Sequence, residues 1–346
     1  MTGREIEEFM RILNSRPDLI TFVYGPINSG KTELISYLIK TLSKDFRVFY
    51  INLRGIYVER SEDFLKVLFD VRGRSVKECI RFALQLLPSE VITPKGKIPI
   101  PKSMLKQIFK ERELENVFVY LETFLTEICK KKVPVLIVDE LQVIGDLKVD
   151  ELLIYKLFNL FIRLTKELHC CHVFAVTSDS LFIERVYSEA MLQGRCRYLL
   201  VDDFDFKTTE GFLKKYGFNK EEIELVWENF GGKPVYLVEA IKNKNRLKDF
   251  CKEMLNLRTN EIKQRLKILK ELGYEVVIGS KRYEVDYEKV VSALRDVAKD
   301  EVLGDTIDEI AKRFLVRENI LFFDLLKTIL RSQSKLDLLA VRRILG

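Results

Sequence analysis

Histidine and tryptophan are almost missing from this chain, with two histidines, His169 and His172, and a single Trp227 in 346 residues. That excludes a catalytic centre or metal site built on several imidazoles. The two histidines bracket Cys170 and Cys171. Four adjacent residues cannot converge on one ion, because alternate side chains of an extended segment point oppositely, so a helix-to-strand junction is the expectation there. The six cysteines form no C-x-x-C pair and several lie in apolar segments, which reads as buried free thiols. No apolar run reaches membrane-spanning length, and Met1-Thr2-Gly3-Arg4-Glu5 carries no apolar signal segment. The expectation is a cytoplasmic protein without membrane contact. An excess of one charge sign is also lacking: 58 basic against 52 acidic residues leave +6, which permits nucleic-acid contact without demanding it. What is plentiful is apolar side chain, 47% of the chain, enough for a sizeable core and two or three domains.

The most informative residues are Gly25-Pro26-Ile27-Asn28-Ser29-Gly30-Lys31-Thr32, which fit G-x-x-x-x-G-K-[ST]. The apolar run Leu19–Tyr24 before them reads as a buried strand. Leu34, Ile35, Leu38, Ile39 and Leu42 behind them repeat at helical spacing. In that context Gly25 and Gly30 let successive N–H groups turn inward toward phosphate oxygens, and the new helix adds its positive end. Lys31 supplies a point charge for the terminal phosphates of ATP or ADP, and the Thr32 hydroxyl suits Mg²⁺.

A second run, Val133–Val138, ends abruptly in Asp139-Glu140. Continuous apolar character reads as a central parallel strand buried on both faces, and its carboxyl end is where open α/β sheets place their chemistry. Asp139 suits a magnesium ligand beside Thr32. Glu140 suits a general base that polarises water, which leans the reading toward hydrolysis and away from a small-molecule kinase.

Five strands are predicted in order, Leu19–Tyr24, Val48–Leu53, Val133–Val138, Val173–Ser178 and Tyr198–Val201, separated by helical patterns. They imply an α/β fold: a three-layer core with a parallel five-stranded sheet over residues 1–204. The stretch from about 55 to 132 is too long for one crossover and reads as a helical insertion. Its helices fall near Glu62–Phe69, Val76–Leu87 and Leu114–Lys131, with an exposed proline-rich loop from Pro88 to Pro101. Short amphipathic helices over 205–245 form a lid. Residues 246–346 form a C-terminal domain, with helices at Tyr287–Lys299, Ile307–Phe314 and Leu336–Leu345. Leu315–Phe323 and Ile329 fit a hairpin, so a winged-helix-like module is expected.

With these motifs the chain resembles the archaeal ATPase family in the STAND group of AAA+-related P-loop NTPases, relatives of the archaeal replication-initiator ATPases. The resemblance covers roughly residues 1–245 well and the remainder loosely. It implies further roles. Arg4-Glu5 with Glu8 resembles a motif that lies near the adenine. Phe174–Asp179 resembles the sensor strand, with Ser178 near the γ-phosphate. Gly194-Arg195 resembles a glycine–arginine pair whose arginine stabilises phosphate charge in cis or trans. Gly231-Gly232-Lys233-Pro234 resembles the lid motif whose proline packs on the nucleotide. The implied activity is slow Mg²⁺-dependent hydrolysis of ATP to ADP and phosphate, used as a conformational switch. Beside it stands an ATP-licensed DNA-binding protein, served by the C-terminal series Lys281-Arg282, Lys312-Arg313, Arg317, Lys327, Arg331, Lys335 and Arg342-Arg343. Acidic residues interleave with that series, as on a solvated charged surface. A protein partner or self-association is the remaining expectation.

Overall fold

Five apolar segments pair side by side in one parallel sheet. In the computed structural model, which describes residues 3–54, 67–85, 97–111, 114–145, 151–189, 192–278 and 281–346, the strands are β1 (Ile20–Tyr24), β2 (Phe46–Asn52), short β3 (Phe69–Val71) and β4 (Ile98–Ile100), β5 (Val133–Asp139), β6 (His172–Thr177) and β7 (Cys196–Leu200). The main sheet runs β2-β5-β6-β1-β7, while β3 and β4 pair only with each other. The α/β class and the five-stranded parallel sheet are therefore as expected. Alternation of side chains along β1 splits the core into two layers. Ile20, Phe22 and Tyr24 enter a cluster with the helices Leu114–Cys129 and Glu151–Ile162. Val23 faces a second cluster with the helices Gly3–Leu13 and Lys31–Thr41, where Phe9 stacks on Phe174 at 4.2 Å.

Two differences from expectation have simple causes. Strand β2 starts at Phe46, because the charged Arg47 is fully buried inside the strand with its guanidinium over Phe49. Phe69 opens β3 instead of closing a helix. Residues 62–66 of that expected helix, and 88–96 of the proline-rich loop, lie outside the described residues. The described remainder of the loop contains β4.

The lid consists of the helices Phe206–Lys214, Lys220–Phe230 and Pro234–Lys242, closed over Leu213, Ile223, Val226, Phe230 and Leu237. Asp205 caps the first through Thr208 N at 2.7 Å, and Asn219 with Glu222 forms a capping box on the second. Its joint to the core is backbone on backbone. Phe204 N donates to Gly232 O at 3.0 Å, and a Cβ on Gly232 would lie 1.8 Å from Phe204 O.

The helix Leu247–Leu272 serves two cores. Leu247, Phe250 and Cys251 pack into the lid, and Ile262, Leu266 and Leu269 into the C-terminal cluster. Beyond it come a hairpin that was not among the expected elements, β8 (Glu275–Ile278) with β9 (Lys281–Glu284), and the helix Tyr287–Lys299. Strands β10 (Val302–Leu303), β11 (Leu321–Asp324) and β12 (Ile329–Ser332) form a sheet in the order β10-β12-β11, followed by the helix Lys335–Leu345. The expected hairpin began at Leu315. Leu315–Arg317 instead completes the helix Glu309–Arg317, which starts under an Asp308 cap and buries Phe314, Leu315 and Val316.

Candidate nucleotide-binding site

The sheet brings the two motifs together at its carboxyl edge. The loop that follows β1 turns at Gly25, where a Cβ would lie 2.0 Å from Val201 O; only glycine allows that approach. Gly30 is left-handed at φ 93°, and the helix starts at Lys31 with no side chain capping its first N–H groups. Uncapped amides at a helix start, beside a glycine turn, form a cradle for an anion. Lys31 lies within it, 6% exposed, donating to Gly25 O at 3.0 Å and Pro26 O at 2.8 Å. Burial, followed by the nearby Lys233 ammonium, pulls its pKa from the usual 10.5 down to about 7.

Across the cleft Asp139 ends β5. Its Oδ2 accepts from Thr32 Oγ1 at 3.0 Å and from Tyr50 OH at 2.7 Å. Burial raises the Asp139 pKa, opposed by these two hydrogen bonds. A hydroxyl and a carboxylate oxygen held side by side are hard donors of the kind that Mg²⁺ takes one or two at a time, leaving its other positions to water and phosphate. The residues therefore fit that ion. Among the described residues no cluster of three or more His, Cys, Asp or Glu offers a competing site.

Glu140 stands next in a left-handed conformation, φ 60°, which costs a non-glycine residue on the order of 1–3 kcal/mol. Its carboxylate is held by an ion pair with Arg54 and by Gln142 Nε2 at 2.5 Å. Gln142 Oε1 in turn accepts from Thr177 Oγ1 at 2.7 Å. Ser178 follows at the same end of β6, yet of the two adjacent hydroxyls Thr177's is the one tied to Glu140. Tyr50, Arg54 and Gln142 escaped the sequence reading, since each reaches the site from a neighbouring strand or turn and no motif spacing marks it.

Pro234 begins the third lid helix beside the loop, and a Cβ on Gly30 would come within 3.9 Å of its Cγ. Glu5, Ser29, Gly30, Val201, Phe204 and Pro234 border a mostly apolar cavity of about 100 Å³, on the scale of an aromatic ring. The structure does not bring Arg195 to this place. It precedes β7, whose first residue Cys196 pairs with Ile20, whereas the loop leaves β1 after Tyr24, paired with Leu200. At about 3.3 Å per residue, Arg195 lies roughly 15 Å away at the amino end of the sheet, outside the cleft of its own chain. Three acids follow β7 with separate partners: Asp205 caps the helix Phe206–Lys214, Asp202 pairs with Arg331 at 2.7 Å and Asp203 with Lys233 at 2.9 Å.

A strand, a glycine loop with its lysine, and a carboxylate strand end define a P-loop nucleotide-binding architecture. Comparison with known proteins narrows this. Residues 3–240 match the model of an ATPase domain found predominantly in Archaea, and residues 248–345 match the C-terminal domain of MJ1010-like uncharacterized ATP-binding proteins. The chain belongs to this archaeal ATPase family. An uncharacterized ATP-binding protein of Pyrococcus abyssi is 48% identical over 99% of this chain and 97% of its own length. Another, of Methanocaldococcus jannaschii, is 45% identical over 99% and 96%. A Walker-type ATPase of Pyrococcus abyssi has the same fold, with a TM-score of 0.63 at 18% identity over 98% of this chain and 95% of that one. No helix among the described residues is long and apolar enough to cross a membrane.

Proposed function

We propose that the chain binds ATP with Mg²⁺ and hydrolyses it slowly to ADP and phosphate, using the nucleotide state to control how lid and C-terminal domain sit on the core. The observation that carries this reading is Lys31. A buried lysine whose Nζ rests on the loop carbonyls of Gly25 and Pro26, beside a helix start whose N-cap offers no side-chain hydrogen bond, is placed to turn to phosphate oxygens when they enter the cradle. In this reading the loop from Gly25 to Thr32 wraps the phosphates, and the base stacks in the cavity between Glu5 and Pro234. Thr32 and Asp139 hold the magnesium ion, which neutralises charge on the β- and γ-phosphates when bound. Glu140 takes a proton from the attacking water, and Thr177 or Ser178 sits where a hydroxyl reports the γ-phosphate. Arg195 has a part only across to a neighbouring subunit. Placement in the STAND group and a winged-helix-like role for β10–β12 belong to this proposal, as does a cytoplasmic location.

The reading as an ATP-licensed DNA-binding protein is less well supported. Arg331 pairs with Asp202, Arg313 with Glu309, and Arg282 with Glu275. Arg342 donates to Ala298 O and Arg343 to Asn256 Oδ1. These contacts orient part of the basic series within the protein, but an exposed arginine in such a contact keeps its charge, so salt-dependent binding of duplex DNA by the full chain decides this reading. Titration of the full chain with ATP and with ADP, with and without Mg²⁺, followed by phosphate release, tests the proposal. Failure to bind either nucleotide ends it.

A further inference from the structure

The C-terminal domain reaches the phosphate-binding loop itself. Gln333, directly after β12 and 2% exposed, accepts from Ile27 N through Oε1 at 3.1 Å and donates from Nε2 to Leu321 O at 3.1 Å. The other side of the same residue is held by the lid. Lys233 Nζ donates to Ile27 O at 3.1 Å, and its charge is matched by Asp203 at 2.9 Å. Ile27 thus has its N–H fixed by one domain and its C=O by another, and among the described residues neither group is held by the core that carries the loop. Two tethers flank the contact, the first buried and the second half-buried. Tyr24 OH donates to Asp324 Oδ1 at 2.9 Å from the last residue of β1, and Arg331 meets both oxygens of Asp202 just beyond β7.

We infer that Gln333 is a positioning residue for the nucleotide site. With Lys233 it braces the Ile27 peptide, so that the shape of the loop, and hence nucleotide affinity, depends on the C-terminal domain being docked. The inference rests on the nucleotide-binding reading above and adds the route by which the C-terminal half is coupled to it. The physical basis is asymmetry of cost. The Ile27 N–H lies half-buried against the buried Gln333 amide, and an N–H that loses such an acceptor costs more than the bond itself, so the loop must shift to reach water or another partner once Gln333 departs. Coupling of this kind is reciprocal: docking that tightens nucleotide is itself tightened by nucleotide, and a partner that draws the hairpin β11–β12 away would release the nucleotide. Gln333 touches the loop backbone at Ile27, not the reacting atoms, so its effect falls on binding.

The test uses the full chain with ADP as the probe and two variants. Gln333→Met keeps the side-chain length and removes both hydrogen bonds. Arg331→Met cuts the Asp202 tether and leaves Ile27 untouched. Unfolding midpoints without nucleotide establish that both variants fold. The inference predicts an ADP dissociation constant about tenfold higher for Gln333→Met, the scale of one buried hydrogen bond, and less than threefold higher for Arg331→Met. It also predicts that ADP protects amides of residues 320–334 from hydrogen exchange in the wild type and not in Gln333→Met. An ADP affinity within twofold of wild type in Gln333→Met, or equal losses in the two variants, overturns it while leaving nucleotide binding standing. A wild type that does not bind ADP ends both.

Discussion

Thr32 Oγ1 lies 3.0 Å from Asp139 Oδ2, although 107 residues of chain separate them. The pair exists because β5 and β1 end at the same edge of one sheet, with β6 between them. Tyr50, from β2 on the far side of β5, donates to the same carboxylate oxygen at 2.7 Å. Removing that phenol in Tyr50→Phe takes away a hydrogen bond that stabilises the carboxylate against the upward push of burial. The magnesium concentration for half-maximal ATP binding should rise about threefold to tenfold, on the scale of one charge-assisted hydrogen bond. Titration of Mg²⁺ at fixed ATP checks this, and an unchanged midpoint removes Tyr50 from the site.

Lys31 predicts a pH dependence. With its pKa near 7 in the folded chain and 10.5 ordinarily, the folded state is neutral there across a window where the unfolded state is still protonated. On this group's account stability rises between about pH 7 and 10.5. Nucleotide binding runs the other way. Phosphate favours the ammonium form, so binding takes up a proton above pH 7, and affinity should fall by up to about tenfold per pH unit from 7 toward 9. Calorimetry in buffers of different ionisation heat measures the uptake directly. Flat affinity over that range with no proton uptake would contradict the picture.

Arg54 and Gln142 occupy the carboxylate of Glu140. While these contacts hold the carboxylate, it must leave them to reach the attacking water. Arg54→Ala should therefore raise basal phosphate release about threefold with ATP affinity little changed. A fall of tenfold would mean instead that the guanidinium serves the reaction.

Gly232→Ala places a methyl group against the Phe204 carbonyl, 1.8 Å from its oxygen, and backbone must move on one side or the other. A cost of about 3 kcal/mol at the lid joint is expected. Thermal unfolding should show a midpoint lower by several degrees. A midpoint within one degree of wild type would mean that lid and core do not meet as described.

The most legible strand is one buried on both faces. Val133–Val138 is apolar at every position because helices cover both sides of β5, and Asp139-Glu140 stand out at its end for the same reason. Arg47 hid the start of β2, since a buried guanidinium breaks an apolar run. The short β8–β9 hairpin does carry a signal, the β-branched Val276-Val277-Ile278 before Gly279-Ser280, but it directly follows the long helical pattern and its second strand is exposed and charged. The site divides along the same line. Lys31, Thr32, Asp139 and Glu140 sit in one local stretch or another. Tyr50, Gln142, Lys233 and Gln333 act across strands or domains, where neighbours are set by sheet order. For Arg195 the cis option was illegible, because resemblance by motif order says nothing about which end of a strand a residue occupies.

If this site holds ATP and Glu140 turns it over, ATP binding and phosphate release measured in parallel for wild type, Glu140→Gln and Lys31→Ala must separate. Glu140→Gln should bind ATP within about threefold of wild type while releasing phosphate at least a hundredfold more slowly, the loss typical of a general base. Lys31→Ala should lose binding, turnover or both. Phosphate release by Glu140→Gln at the wild-type rate, or unaltered binding and turnover in Lys31→Ala, would contradict this reading.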